Sequence, residues 1–123
     1  MQRPSFHGRS ILVVEDEPLI AMDIAQVFEH TGAEITSTNT LRHALLLAED
    51  KELSAAILDH ALGDGDSSEL CARLKERGIP FLTYSGYEKL EGACKGAPHV
   101  NKPAKAGELV AVMENLLGGK TSS

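Results

Sequence analysis

Ile11-Leu12-Val13-Val14-Glu15-Asp16-Glu17-Pro18-Leu19-Ile20-Ala21-Met22-Asp23-Ile24 is the stretch on which the fold turns. Four consecutive apolar residues, Ile11 to Val14, read as a strand covered on both faces, because a half-exposed strand would alternate. Pro18 suits the first turn of a helix, where its missing N–H costs nothing, and Asp16 and Glu17 sit at that helix's positive end. Ile20, Ile24, Val27 and Phe28 form one stripe at helical spacing, and Gly32 is placed to cap the end. A buried strand feeding directly into an amphipathic helix is the building unit of a parallel sheet.

The unit recurs down the chain. Ile35 to Thr38 reads as a weaker edge strand, and Thr40 caps a second helix with Leu41, Ala44, Leu45 and Ala48 inward. Ala55 to Leu58 is the second strongly apolar strand, and Asp59 ends it. His60 to Asp66 is rich in Gly and Asp, hence a loop. A third helix follows, with Leu70 and Leu74 inward, Gly78 at its end, and Asp66 with Glu69 as a capping-type pair. Pro80 announces a strand over Phe81 to Ser85. Gly86 to Pro98 holds three glycines and one proline, which predicts a short or poorly formed helix. Val100 lies in a short last strand that Lys102-Pro103 breaks. Lys105 to Leu117 is the final helix, with Leu109, Val112, Met113, Leu116 and Leu117 on one stripe. Five strand–helix units give an open α/β sheet with helices on both faces, and such short strands favour the doubly wound order 2-1-3-4-5. Residues 1–9 are expected to precede the domain, 10–117 to form it, and 118–123 to be a frayed tail.

The chain's 123 residues suffice for one domain. Acids outnumber bases 18 to 12, for a formal charge of −6. That balance argues against nucleic acid or an anionic membrane as primary partner, since both need a basic surface. No apolar run approaches the ~20 residues of a membrane span. Met1 to Ser10 shows no apolar h-region, so no secretory leader is expected and a cytoplasmic location is. Cys71 and Cys94 stand in no metal-ligand spacing and are expected as reduced thiols.

Ligands of open parallel sheets bind beyond the carboxyl ends of the strands. The residues there are Glu15 and Asp16, then Asp59, Ser85 and Lys102. Carboxylates gathered at one pocket repel: two unit charges ~4 Å apart cost about 4 kcal/mol at an effective dielectric of ~20. A hard divalent cation such as Mg²⁺ removes that cost and prefers oxygen ligands. Taken singly, each residue has a plainer reading. Glu17 is a helix-capping acid, Asp59 a turn-starting Asp, Lys102 a solvated lysine and Ser85 an ordinary strand-end hydroxyl. Taken together, an acid pair, an Asp, a hydroxyl and a Lys-Pro, each ending a core strand, form a strong signal.

This set resembles the receiver domain of two-component response regulators. The matching residues are Val13 to Asp16, Ile57 to Asp59, Tyr84 to Gly86 and Asn101 to Pro103, in order, over nearly the whole chain. Ile11 to Ile24 looks especially like stand-alone receivers of alphaproteobacterial type. The resemblance implies a flavodoxin-like (βα)₅ fold and a single-domain signalling protein, not an enzyme beyond slow self-dephosphorylation. Asp59 matches the phospho-acceptor, served by a histidine kinase or histidine phosphotransfer protein. Asp16, Asp59 and the backbone carbonyl of Ala61 match the Mg²⁺ ligands, with Glu15 acting near the metal through water. Ser85 matches the switch hydroxyl and Lys102 the lysine that pairs with the phosphoryl group. The Lys102-Pro103 bond is often cis in that family. Leu19 and Met22, off the inward stripe of the first helix, and Pro103 are expected to contact the kinase.

The sequence departs from the family pattern at three places. Glu15 replaces the more usual Asp, His99 stands where many receivers place a Tyr or Phe switch ring, and Ala104 follows Lys-Pro where an aromatic is frequent. His99 is either a plain surface histidine or a ring that moves inward when Ser85 turns toward a phosphoryl group. Other classes remain open from the residues alone. A phosphohydrolase with nucleophilic Asp would carry Asp-x-Asp after the first strand, where Glu15-Asp16-Glu17 stands. A flavin or nucleotide carrier needs a Gly- or Ser/Thr-rich cradle there. A non-phosphorylated scaffold is the third alternative. Asp64 and Asp66 suggest a Ca²⁺ loop, but the bidentate Glu is not at its spacing.

Overall fold

In the computed structural model, which describes residues 6–62, 65–86 and 92–118, five parallel strands lie in the order 2-1-3-4-5. They are β1 (Ser10–Val14), β2 (Glu34–Thr38), β3 (Ala55–Leu58), β4 (Phe81–Ser85) and β5 (His99–Asn101). The helices are α1 (Pro18–Glu29), α2 (Leu41–Leu47), α3 (Ser68–Glu76) and α4 (Ala106–Leu117). β1 and β3 are central and nearly wholly buried, which is why they read as unbroken apolar runs. β2 is an edge strand, and its exposed Glu34, Thr36 and Ser37 explain its weaker signal.

Alternate strand residues feed two cores. Ile11, Val13, Ile57, Leu82 and Tyr84 face α1 and α4, where Phe28 and Met113 are fully buried. Phe6 joins this core and stacks on Phe28, ring centroids 5.9 Å apart. Leu12, Val14, Ala56, Leu58 and Phe81 face the other way, toward α2 and α3. There Leu70, Leu74, Ala44 and Ala48 are buried as the helical stripes predict.

Local details differ from the sequence expectations. Pro18 opens α1 as expected, but the backbone N–H of Glu17 is held by the Glu15 carboxylate at 3.1 Å, and the Glu17 side chain caps nothing. α1 closes at His30, and Gly32 follows with φ +94°, where a Cβ would collide with the His7 ring. The loop after β3 contains a two-residue antiparallel ladder, Ala61–Leu62 with Gly65–Asp66. α3 has Ser67 at its cap position rather than Asp66. Of the segment expected to hold a poor helix, Gly92–Cys94 form one 3-10 turn, while residues 87–91 lie outside the described residues, as do Asp64 and the tail from 119.

The reduced-thiol expectation for the two cysteines is overturned. Cys71 and Cys94 form a disulfide, with Cα atoms 5.2 Å apart. Cys71 lies on the inward face of α3 and the 3-10 turn packs directly against it, which brings the two within bridging range. A spacing of 23 residues carries no local sign of that contact.

Candidate functional site

The register of the sheet assembles one rim. Val14 pairs with Leu58, so Glu15 and Asp59 emerge side by side, and the Asp59 N–H donates to the Val14 carbonyl at 2.8 Å. Ser85 pairs with Asn101, and the Lys102 N–H donates to the Ser85 carbonyl at 2.8 Å. Carboxylate oxygens of Glu15, Asp16 and Asp59 all lie within 4.8 Å of one another. Glu15 is 3% exposed and Asp59 6%, whereas Asp16 is open to solvent.

Lys102 is the counter-charge. Its Nζ lies 3.0 Å from Glu15 Oε1, 3.3 Å from Asp59 Oδ2 and 3.8 Å from Glu17 Oε1. Burial pushes the Glu15 carboxyl up to about 7, against the opposing hydrogen bonds from Lys102 and the Glu17 N–H. The Asp59 charge adds to the upward push. Burial works against the Lys102 ammonium, but its bonds and charges from Glu15 and Asp59 outweigh that and raise its pKa on balance. The pocket therefore holds more negative charge than one lysine balances, and Asp16 leaves its mouth open to water. Three carboxylates of this kind fit a hard divalent cation and a phospho-aspartate.

Ser85 is buried, and its hydroxyl has no hydrogen-bond partner among the described residues. Buried polar atoms are nearly always paired, so this unpaired hydroxyl sets Ser85 apart at the rim.

Two residues to which the sequence assigned no role of their own brace the neighbourhood of this set. The Tyr84 hydroxyl donates to the Ala104 carbonyl at 3.0 Å and accepts from the Ala104 N–H at 3.1 Å. Its ring lies 5.5 Å from Lys102 Nζ. Tyr84 thus clips the turn carrying Lys102 and the cis Lys102-Pro103 bond. Thr83 pairs with His99, and its hydroxyl lies 2.7 Å from His99 Nδ1, while His99 Nε2 lies 2.8 Å from Asn101 Oδ1. The half-buried ring is therefore held by Thr83, one step along the strand face from Ser85. A polar residue inside an otherwise buried strand was the available signal for both.

Leu19 and Met22 are 80% and 66% exposed. Leu19 and Pro103 line an open groove of about 610 Å³ between α1 and the turn after β5, with Ile20, Tyr84 and Ala104 in its wall. Met22 stands outside that groove. Ala61 lies two residues beyond Asp59, at the start of the short ladder.

A doubly wound parallel sheet whose strand ends gather three carboxylates, a lysine and a buried hydroxyl defines an open α/β domain with an acidic strand-end pocket. Residues 11–114 match the response regulator receiver domain, and the chain belongs to that family of two-component systems. The transcriptional regulatory protein TcrA of Mycobacterium tuberculosis is 31% identical over 116 residues, which cover 89% of this chain and 46% of that protein. The phosphate regulon transcriptional regulatory protein PhoB of Pseudomonas aeruginosa is 32% identical over 119 residues, covering 89% of this chain and 52% of its own. This chain spans about half the length of these curated relatives. The solution structure of SdrG from Sphingomonas melonis Fr1 superposes with a TM-score of 0.77 at 32% identity, over 89% of this chain and 96% of that one. Receiver domains are in general signalling domains rather than enzymes. Among the described residues, no helix is long and apolar enough to cross a membrane.

Proposed function

We propose that this receiver accepts a phosphoryl group on Asp59 from a histidine kinase or histidine phosphotransfer protein and signals by protein contact or relay. The observation that carries this reading is the pairing of buried Asp59 with Lys102 at 3.3 Å, beside two further carboxylates and a partnerless Ser85 hydroxyl. An Asp59 oxygen attacks phosphorus in line, and the phosphohistidine nitrogen leaves with the bonding pair. Lys102 and Ser85 then neutralise and hydrogen-bond the equatorial oxygens. A metal-dependent phosphohydrolase or an inert scaffold has less support, since Glu15-Asp16-Glu17 lacks an Asp-x-Asp and the phospho-acceptor set is complete.

Mg²⁺ fits the acidic pocket, where Asp16, Asp59 and the Ala61 carbonyl would hold it. When bound it supplies charge neutralisation to the phosphoryl oxygens. Glu15 is already engaged by Lys102 and the Glu17 N–H, which suits a place behind the ligands. Glu15→Gln is expected to weaken Mg²⁺ binding about tenfold, as outer-shell changes do, and Asp16→Asn by more. Titration calorimetry of both variants checks the order, and the reverse order removes the assignment. Incubation of wild type with acetyl phosphate should add one phosphoryl group by mass, and EDTA should abolish it. Labelling that persists without any divalent metal would count against the reading.

The kinase is taken to dock through its helical dimerisation domain on Leu19 and Met22 of α1, with Pro103 at the edge of the groove. Replacing both Leu19 and Met22 by Lys should slow phosphotransfer from the kinase that serves wild type best by tenfold or more, on the order of 1–2 kcal/mol per lost apolar contact. Labelling by acetyl phosphate should be unchanged. Rates unchanged from wild type with both donors rule docking out. For His99, the reading is that the ring leaves Thr83 when Ser85 engages the phosphoryl group. Amide shifts of Gly92 to Ala97 on adding beryllofluoride should then differ among wild type, His99→Phe and His99→Ala. Identical shifts leave His99 a surface residue.

A further inference from the structure

The cysteine bridge touches the loop that leaves the phospho-acceptor. His60 follows Asp59, and its Nδ1 lies 3.1 Å from the Ser67 hydroxyl. The Ser67 N–H donates to the His60 carbonyl at 3.0 Å, and the Ser67 carbonyl accepts the Cys71 N–H at 2.8 Å in the first turn of α3. Ser67 is fully buried. Its hydroxyl and its carbonyl each lie 3.5 Å from Cys94 Sγ. Asp59, His60, Ser67, Cys94 and Cys71 therefore form one continuous chain of contacts, and the proposed phosphoryl chemistry uses only its first member.

The contacts at Ser67 must differ between the two sulfur states. A disulfide sulfur has no proton, so in the bridged protein only the Ser67 hydroxyl can donate across the 3.5 Å contact to Cys94. A bridge also holds the two sulfurs at bonding distance, and two thiols cannot stay so close, so opening it moves Cys94 Sγ against Ser67. A reduced Cys94 thiol donates instead, to the Ser67 carbonyl or hydroxyl. The Ser67 hydroxyl, which also lies 3.1 Å from His60 Nδ1, therefore meets a donor at Cys94 in one state and only a weak acceptor in the other. Two redox states with different contacts at one buried serine provide the differential interaction that a switch requires.

We propose that Cys71 and Cys94 are a reversible modification site, a redox latch whose state is passed through Ser67 to His60 and sets the phosphorylation rate of Asp59. Closure is a two-electron exchange with a small disulfide such as oxidised glutathione. One cysteine thiolate attacks a sulfur of that disulfide, its S–S bond breaks, and one small thiolate leaves. The second cysteine thiolate attacks the protein sulfur of the mixed disulfide, closes Cys71–Cys94 and expels the second small thiolate. The two protons of the cysteines end on the two released thiols, so the protein is oxidised and the small disulfide reduced. Both sulfurs are buried, so exchange requires local opening at the 3-10 turn. The link to phosphorylation rate rests on the function proposed for Asp59, whereas the link to His60 does not.

The test uses the full chain, held reduced by a phosphine or oxidised by glutathione disulfide. Alkylation after unfolding should count two free thiols in the first sample and none in the second. Ring ¹⁵N and ¹H shifts of His60 should differ between the oxidised and the reduced protein. Acetyl phosphate labelling should differ between the states by about fivefold or more. Cys71→Ser keeps the Cys94 thiol but cannot bridge, so it should match the reduced protein under both conditions. Free thiols after oxidation, or an unchanged His60 ring, overturn the latch, and equal labelling rates overturn its control of Asp59. Failure of labelling in both states with a shifted His60 ring overturns the function proposed for Asp59 and leaves the latch to His60 standing.

Discussion

Asp59→Asn protein, incubated with acetyl phosphate and Mg²⁺, is expected to stay at its unmodified mass while wild type gains one phosphoryl group. The amide keeps the shape of the carboxylate and can still accept from Lys102, so the site keeps its geometry. What it lacks is an anionic oxygen able to attack phosphorus, and the loss should exceed a thousandfold, more than 4 kcal/mol in barrier terms. Stability should move the other way. The Asp59 charge pushes the buried Glu15 carboxyl up, so its removal relieves like-charge repulsion. The variant should therefore melt no lower than wild type in metal-free buffer, which separates lost chemistry from lost fold. Equal labelling of wild type and Asp59→Asn would falsify the assignment of the acceptor.

The second large effect is on the fold. Phe28→Ala should lower the unfolding free energy by about 3–5 kcal/mol, because it deletes a fully buried ring that the rigid sheet cannot replace. A small domain has only about 5–15 kcal/mol in all, so the urea midpoint should fall by about a fifth or more. Phe28 is the inward anchor of α1, and the ring of Phe6 stacks on it at 19° between planes. α1 begins at the acid pair and carries Leu19 and Met22. Loosening it should therefore weaken Mg²⁺ binding together with stability. A loss below about 1 kcal/mol would mean that α1 is not packed as described.

The parallel sheet was legible because a strand covered on both faces must be apolar almost throughout, as Ile11 to Val14 of β1 and Ala55 to Leu58 of β3 are. The helical stripes were legible because each helix has only one sheet face to cover. Glu15, Asp16, Asp59, Ser85 and Lys102 stood out because polar residues that end apolar runs come to one rim of a doubly wound sheet. Each of these inferences uses residues a few positions apart.

What only the tertiary structure decided depends on contacts across long separations. The pairing of Thr83 with His99 spans 16 residues, the clip of Tyr84 on Ala104 spans 20 and the Cys71–Cys94 bridge spans 23. Lys102 reaches Glu15 across 87. Residue type and period restrict such partners without choosing among them. The sequence by itself therefore determined the sheet, its helices and the polar residues that end its strands. Which hydroxyl holds His99, what charge Lys102 balances and whether the two sulfurs meet were settled only when packing fixed the distances, because hydrogen bonds, ion pairs and disulfides form only within a few ångströms.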